Sequence, residues 1–342
     1  MSRLCKLRSA MAAGLAVVMA MAFAGQTAIA AVCGGQSLLG KLESEDPQLY
    51  QQVADEAAST PNGEAVLWKV TGNGTAAPSY LFGTIHMTDV RVATLSDPVK
   101  QAMGTVKVLA LEVLGIGDKK AQQSIFTKRR DLVLLRGGSL WRYLEPGMQN
   151  SVARDLQLVG ISQIVARRLQ PWVAAVALSV SPCESKRQHT DHPMQDQALA
   201  IYAKERGIEV VGLETMAEQF SVYSSMSIKE QAIFLIDVAR LSDQMHDFNE
   251  TMIQSYLDRK VTWYVPFINA ITGRNKTAAE KEVKVNYMTA LIDKRNVDLA
   301  ERTEAVLKTG NAMIAIGAYR LPGEQGLVTL LRKRGFTVTA VN

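Results

Sequence analysis

The sequence predicts an α/β fold: a central, mostly parallel sheet with Gly-x-x-His-type motifs at its strand ends, flanked and capped by helices. Two observations carry this. Short apolar runs broken by glycine alternate with longer amphipathic stretches that have recognisable helix ends. Two of the runs, far apart in the chain, also share one plan. Ser79-Tyr80-Leu81-Phe82-Gly83-Thr84-Ile85-His86 ends in Gly-x-x-His, and Met313-Ile314-Ala315-Ile316-Gly317-Ala318-Tyr319-Arg320 ends in Gly-x-x-Arg. Runs that are apolar on both faces fit strands buried in a parallel sheet, and ligand sites of such sheets gather at the carboxyl ends of strands. The glycine three residues before the polar group allows a tight turn or a close backbone approach there.

In chain order, residues 34–58 read as a helical N-terminal arm. Strands are expected near Ala65 to Val70, Tyr80 to Ile85, Lys107 to Glu112, Glu209 to Leu213, Met313 to Ile316 and Thr337 to Val341. Between them, Ser96-Asp97-Pro98 is an N-cap followed by a first-turn proline, and Gly207 closes a helix begun near Asp196, itself read as the N-cap. Ser227-Ile228-Lys229-Glu230 is a capping box opening an amphipathic helix, with Ile233, Ile236, Leu241, Met245 and Phe248 expected on its apolar face. Gly310 ends a helix that starts near Asn296. The stretches 121–178 and 216–291 are mainly helical and are expected to cap the sheet.

The first residues carry Arg3, Lys6 and Arg8, then an apolar stretch from Ala10 to Ala24, then Ala28-Ile29-Ala30, the pattern of a secretory signal peptide over 1–30. Its removal takes the formal charge from +5 to about +2, so the basic balance of the precursor says nothing for nucleic acid. No second apolar stretch reaches the roughly 18 residues of a membrane span, and the expected product is periplasmic or secreted. No linker or low-complexity segment divides 31–342, which reads as a single domain. Cys5 leaves with the signal. The remaining pair, Cys33 and Cys183, predicts one disulfide in an oxidising compartment.

The candidate chemistry lies at strand ends. Glu112 follows a run apolar on both faces, and Glu214 follows Val210, Val211 and Leu213 in the same way. A carboxylate at the end of a doubly buried strand is costly unless a cation, a metal or a hydrogen-bond donor meets it. His86, Glu112, Glu214, Arg295 and Arg320 are therefore expected to converge at one edge of the sheet. His189 and His192 have a spacing that can chelate, but their polar loop offers no third ligand. His246 is expected to be solvated.

Tyr80-Leu81-Phe82-Gly83-Thr84-Ile85-His86, Leu109-Ala110-Leu111-Glu112, Val210-Val211-Gly212-Leu213-Glu214-Thr215, Arg295-Asn296 and Gly317-Ala318-Tyr319-Arg320-Leu321-Pro322-Gly323-Glu324 occur in an order that resembles the TraB/GumN family. That family is related to the Tiki-type proteases and, more distantly, to erythromycin-esterase-like proteins. The resemblance implies a metal-dependent, peptidase-like hydrolase with a peptide or protein substrate. His86 and a carboxylate, Glu112 or Glu214, would hold a divalent ion such as Zn²⁺ or Mn²⁺, and the other carboxylate would activate water. The chain departs from the family pattern at Arg320, where the pattern has a histidine. A guanidinium stays protonated and offers no lone pair to a metal. Two further readings stay open: metal-free hydrolysis with His86 as general base, Glu112 or Glu214 orienting it and Arg320 stabilising an oxyanion, and a non-catalytic binding protein, a pseudoenzyme in which Arg320 fills the metal's place.

Overall fold

Six strands form, each within two residues of the place its apolar run predicts: β1 Leu67–Gly72, β2 Ser79–Thr84, β3 Val108–Val113, β4 Glu209–Glu214, β5 Ala312–Gly317 and β6 Phe336–Ala340. The structure is a computed structural model that describes residues 33–115, 119–190, 192–273 and 289–341. The expected signal peptide and part of the second helical insertion lie outside the described residues. Val32–Asn342 forms one unit by its internal contacts.

The strands make one sheet in the order β4-β3-β5-β2-β1-β6. β4, β3, β5 and β2 run parallel, while β1 pairs antiparallel with both β2 and β6. The register sets Thr84 beside Gly317 and Val113 beside Glu214, so the carboxyl ends of the four parallel strands lie along one edge.

Both faces of the sheet are covered, which is why its strands are apolar on alternate and intervening positions alike. On one face Trp68, Leu81, Ile314 and Ile316 pack with Leu299 and Leu307 of the helix Arg295–Thr309 and Val328 and Leu331 of the helix Leu327–Lys333. On the other, Phe82, Leu109, Leu111, Met313 and Ala315 pack with Met103 of the helix Asp97–Met103 and Leu199 and Ala203 of the helix Gln195–Glu205. A separate helical core holds Leu38, Leu42 and Val53 of the N-terminal arm, Leu140, Val152, Leu156 and Leu178 of the first insertion, and Leu235, Phe248 and Phe267 of the second. The arm is two helices, Leu38–Glu45 and Pro47–Ser59, broken at Asp46, whose carboxylate caps the second by accepting from the Leu49 N–H at 3.1 Å.

The capping box forms at Ser227 and Glu230, but the helix it opens stops at Arg240. A short turn through Ser242–Gln244 separates it from a second helix, Met245–Leu257. The buried stripe is Gln231, Ala232, Leu235 and Val238, and Ile233 and Ile236 are only half-buried. The expectation of one continuous apolar face through Phe248 is thus corrected: the turn restarts the phase, and Met245 and Phe248 are buried from a different helix.

Cys33 and Cys183 form the disulfide, with Cα atoms 5.7 Å apart and a sequence separation of 150 residues. Near it, the Gln36 N–H donates to Asp247 (2.9 Å) and the Leu38 N–H to Thr251 Oγ1 (2.8 Å), so the arm lies along the helix Met245–Leu257. Closing so long a loop is worth about 5 kcal/mol in the chain-entropy model. Replacing both cysteines by serine is expected to lower unfolding stability by about that amount. Thiol labelling of the denatured, unreduced mature protein should find no free thiol, and two labelled thiols per chain would show that the bridge does not form.

Candidate functional site

The sheet topology places the predicted residues before any side chain is considered. Glu112 is the penultimate residue of β3, Glu214 ends β4, His86 lies two residues past β2, and Arg320 closes the short helical turn Ala318–Arg320 that follows β5. Arg295 opens the helix that leads back to β5. Of the two motif glycines, Gly83 serves close approach, the second of the two reasons the spacing allows, while a Cβ on Gly317 would meet only Glu112 Oε2 at 3.4 Å. A Cβ on Gly83 would stand 2.9 Å from Ala318 Cα, so the turn crosses β2 only where a side chain is missing.

Glu112 is the hub. Its Oε1 accepts from Arg295 Nη2 (2.9 Å) and Arg320 Nε (3.1 Å), and its Oε2 accepts from the Gly317 N–H (3.0 Å). Burial alone would raise its pKa. Arg320, His86, Arg295 and the Gly317 amide outweigh burial and hold the carboxyl down to about 2. Glu214 accepts from Arg295 through both of its oxygens, from Nε at 3.3 Å and from Nη2. Asn296 Nδ2 donates to the carbonyls of Arg320 (3.2 Å) and Gln325 (2.9 Å), and its Oδ1 accepts from Arg320 Nη1 (3.4 Å). The adjacent pair thus divides the work: Arg295 holds the carboxylates and Asn296 holds the Arg320 turn.

Neither Glu112 nor Glu214 orients His86, since arginines hold both; its partner is Asp196, expected from the sequence as a helix cap. Met194, not Asp196, is the N-cap residue, and Asp196 lies buried in the first turn. Its Oδ2 is 2.8 Å from His86 Nδ1, and its Oδ1 accepts from Thr84 Oγ1 at 2.8 Å. Next to it, Gln195 Oε1 accepts from the Ile85 N–H (2.9 Å), and Gln195 Nε2 donates to the Tyr256 hydroxyl (3.1 Å), which in turn donates to the Gly83 carbonyl (2.8 Å). The helix start grasps three successive residues of the β2 tip. Burial of the His86 ring works against its charged form. Asp196, through its charge and its hydrogen bond, and Glu112 at longer range outweigh burial and the opposing Arg320, and push the pKa up to about 9. The side chain is still 39% exposed, so water reaches its outer edge. With Nδ1 on Asp196, Nε2 is the nitrogen left for a substrate.

The loop past His86 is held as firmly. Glu184 accepts from the Thr88 N–H (2.7 Å) and Thr88 Oγ1 (2.9 Å), and Arg187 Nη2 donates to the Thr88 carbonyl (2.7 Å). Asp89 and Glu250 both bind Arg91. Glu184 and Arg187 lie on the helix Pro182–Gln188, which carries Cys183. The other histidines stay outside the site. His189 Nδ1 meets the Ser185 carbonyl at 2.6 Å and His192 Nδ1 meets Thr190 Oγ1 at 2.8 Å. His246 is half-buried rather than solvated, its Nδ1 enclosed without a hydrogen-bond partner.

The model of the TraB/PrgY/gumN family matches residues 66–340, from the start of β1 to the end of β6. The chain belongs to the TraB/PrgY/gumN family. A relative described as Metalloprotease TIKI2 from Danio rerio is 22% identical over 326 residues, a match that takes in 83% of this chain and 62% of the relative. The chain therefore spans under two thirds of that relative's length. No solved structure matches.

The metal that the TraB/PrgY/gumN resemblance implied does not fit these side chains. The expected ligands His86, Glu112 and Glu214 are each turned to another partner: Glu112 and Glu214 to arginines, His86 Nδ1 to Asp196. Among the described residues no three His, Cys, Asp or Glu side chains gather at ligand spacing. Arg320, buried against Glu112, brings positive charge without a lone pair. Counted as formal charges with His86 protonated, the cluster sets Glu112, Glu214 and Asp196 against Arg295, Arg320 and His86.

Asp196 did leave a trace in the sequence. It stands three and seven residues before Leu199 and Ala203, on the same buried stripe, which is no place for an acid without a partner. Glu184 and Thr88 had no such signal, because their pairing joins positions 96 residues apart through a turn and a short helix.

Proposed function

We propose that this chain is an exported, peptidase-like hydrolase that works without a resident metal, with His86 as its proton-transferring group. The observation that carries the reading is the His86–Asp196 pair at 2.8 Å on a ring still 39% exposed, beside the buried Arg320–Glu112 pair. In it, neutral His86 takes a proton through Nε2 from a water that attacks the scissile carbonyl, and returns it to the leaving amine. Asp196 fixes the ring's tautomer and orientation as a positioning residue. Arg320 supplies fixed positive charge next to the reacting groups. Glu112, Glu214 and Arg295 hold that cation in place. A peptide or protein substrate is supported by the similarity to Metalloprotease TIKI2 from Danio rerio. Export is supported by the signal-like leader and the disulfide. Among the described residues no helix is long and apolar enough to cross a membrane. Residues 31–342 act as one domain in this reading.

The pH dependence tests it. A general base must be deprotonated, so kcat/KM for peptide hydrolysis should climb about tenfold per pH unit and level off near pH 9. A metal chelator should leave the profile unchanged. Asp196→Asn should cost roughly 10²–10⁴-fold in rate and move the inflection down toward the ordinary histidine value of about 6.5. Chelator-sensitive hydrolysis, or a profile that ignores Asp196→Asn, would defeat the proposal. A second reading, binding without catalysis, is favoured by the capture of both strand-tip carboxylates by arginines. Peptide retention with no hydrolysis at any pH, unaltered in His86→Ala, would establish it.

A further inference from the structure

We propose that the outer end of the first helical insertion is a docking surface for anionic lipid, distinct from the strand-tip site. Apolar side chains stand out there without a covering element: Ile164 is 85% exposed, Leu158 61% and Val165 49%. They belong to the end of the helix Pro146–Leu158 and to the short helix Gln163–Ala166 that follows it. The backbone ties a second segment to this end. The Leu135 N–H donates to the Arg168 carbonyl (2.8 Å) and the Leu140 N–H to the Arg167 carbonyl (3.0 Å), so Arg136 and Arg142 come beside Arg167 and Arg168. All four arginines are exposed.

Within these two segments the charge is one-sided. Neither residues 132–144 nor residues 156–183 contain an aspartate or a glutamate. Of the flanking acids, Asp131 is paired with Arg129 and Asp155 with Arg154, which leaves the exposed Glu145 at the margin. Aliphatic side chains projecting from a turn, with exposed arginines on the same and on the adjoining segment whose stems can lie along an apolar layer while their heads meet phosphate, match a lipid headgroup boundary. Tyr143, at the exposed edge of the same segment, is of the type enriched at such boundaries. An acidic protein partner would satisfy the same charge around an apolar centre, but Ile164 at 85% exposure projects instead of lining a recess, which suits insertion into a headgroup layer more than the packed centre of a protein contact. The chemistry therefore favours a bilayer surface carrying negative headgroups.

The experiment is co-sedimentation of the purified mature chain with vesicles of phosphatidylcholine alone and of phosphatidylcholine mixed with phosphatidylglycerol. Binding is expected only with the anionic vesicles, weakening as salt screens the arginines. The double variant Arg167→Gln/Arg168→Gln should weaken it about 25-fold, roughly fivefold for each arginine. Ile164→Asp should abolish it while leaving the circular dichroism and melting temperature unchanged, because the side chain is exposed. Equal binding to neutral vesicles, binding indifferent to both variants, or no vesicle binding would each overturn the proposal. Retention on immobilised polyglutamate with no vesicle binding would reassign the surface to an acidic protein.

Discussion

Arg295→Ala is expected to destabilise the fold by roughly 3–5 kcal/mol, more than any other single substitution at the strand-tip cluster. Arg295 is the hydrogen-bond partner of both Glu214 oxygens and one of two arginines on Glu112. Its loss strands one buried carboxylate outright and half-strips another. Arg320→Ala, by contrast, leaves Glu112 with Arg295 and the Gly317 amide, so its cost should fall clearly below that range. The order of the two, and not the absolute size of either, is the sharper expectation, because differences between neighbouring variants cancel the common burial of the site. Urea unfolding decides it: the midpoint should drop further for Arg295→Ala with the slope unchanged. Equal losses for both variants would show that Glu214 is not held by Arg295 alone, or that it takes up a proton when stranded, as desolvated carboxylates do.

The second large effect concerns metal. The wild type should bind Zn²⁺ or Mn²⁺ weakly, and Arg320→His should bind far more tightly, by more than the roughly 10–100-fold that follows the loss of a supporting partner around a metal site. The reason is charge. An arginine and a protonated histidine together carry the two positive units that a divalent ion would bring to the same three carboxylates. Replacing Arg320 by histidine removes one unit, frees Glu112 Oε1 of one donor and adds a lone pair. Bound metal would then favour neutral His86 and complete the exchange. Calorimetric titration at neutral pH, with elemental analysis of the protein as purified, gives the comparison. Tight stoichiometric binding by the wild type, unchanged in Arg320→His, would show that the arginine does not stand where a metal would.

Much of the architecture was legible because its signal is local. A strand buried on both faces writes itself as an uninterrupted apolar run, and six such runs with polar or glycine ends locate six strands. Glu112 and Glu214 stood out for the same reason: an acid that ends such a run must be met by something. What escaped was the identity of the partner where a local explanation was at hand. Asp196 stands three residues after Pro193 at the start of a helical stretch, and capping accounts for that pattern without any long-range contact. The structure spends the side chain on His86 and Thr84 instead. The break at Leu241 escaped because apolar spacing on either side of a short turn can mimic one continuous helix. The bracing of Thr88 by Glu184 and Arg187 has no periodic signature, since it depends on which surface helices meet after the sheet has formed.

The disulfide lies one residue from that brace. Cys183 adjoins Glu184, whose carboxylate fixes Thr88, and Thr88 is two residues from His86. Joining Cys33 to Cys183 therefore does more than shorten the unfolded chain. It anchors, through the N-terminal arm, the short helix that sets the height of the histidine loop. The freshly made polypeptide, still carrying thiols, holds that helix by noncovalent contacts alone. The firmness of the loop is thereby expected to depend on the redox history of the chain, with a preparation kept in reductant holding His86 less firmly than one allowed to oxidise.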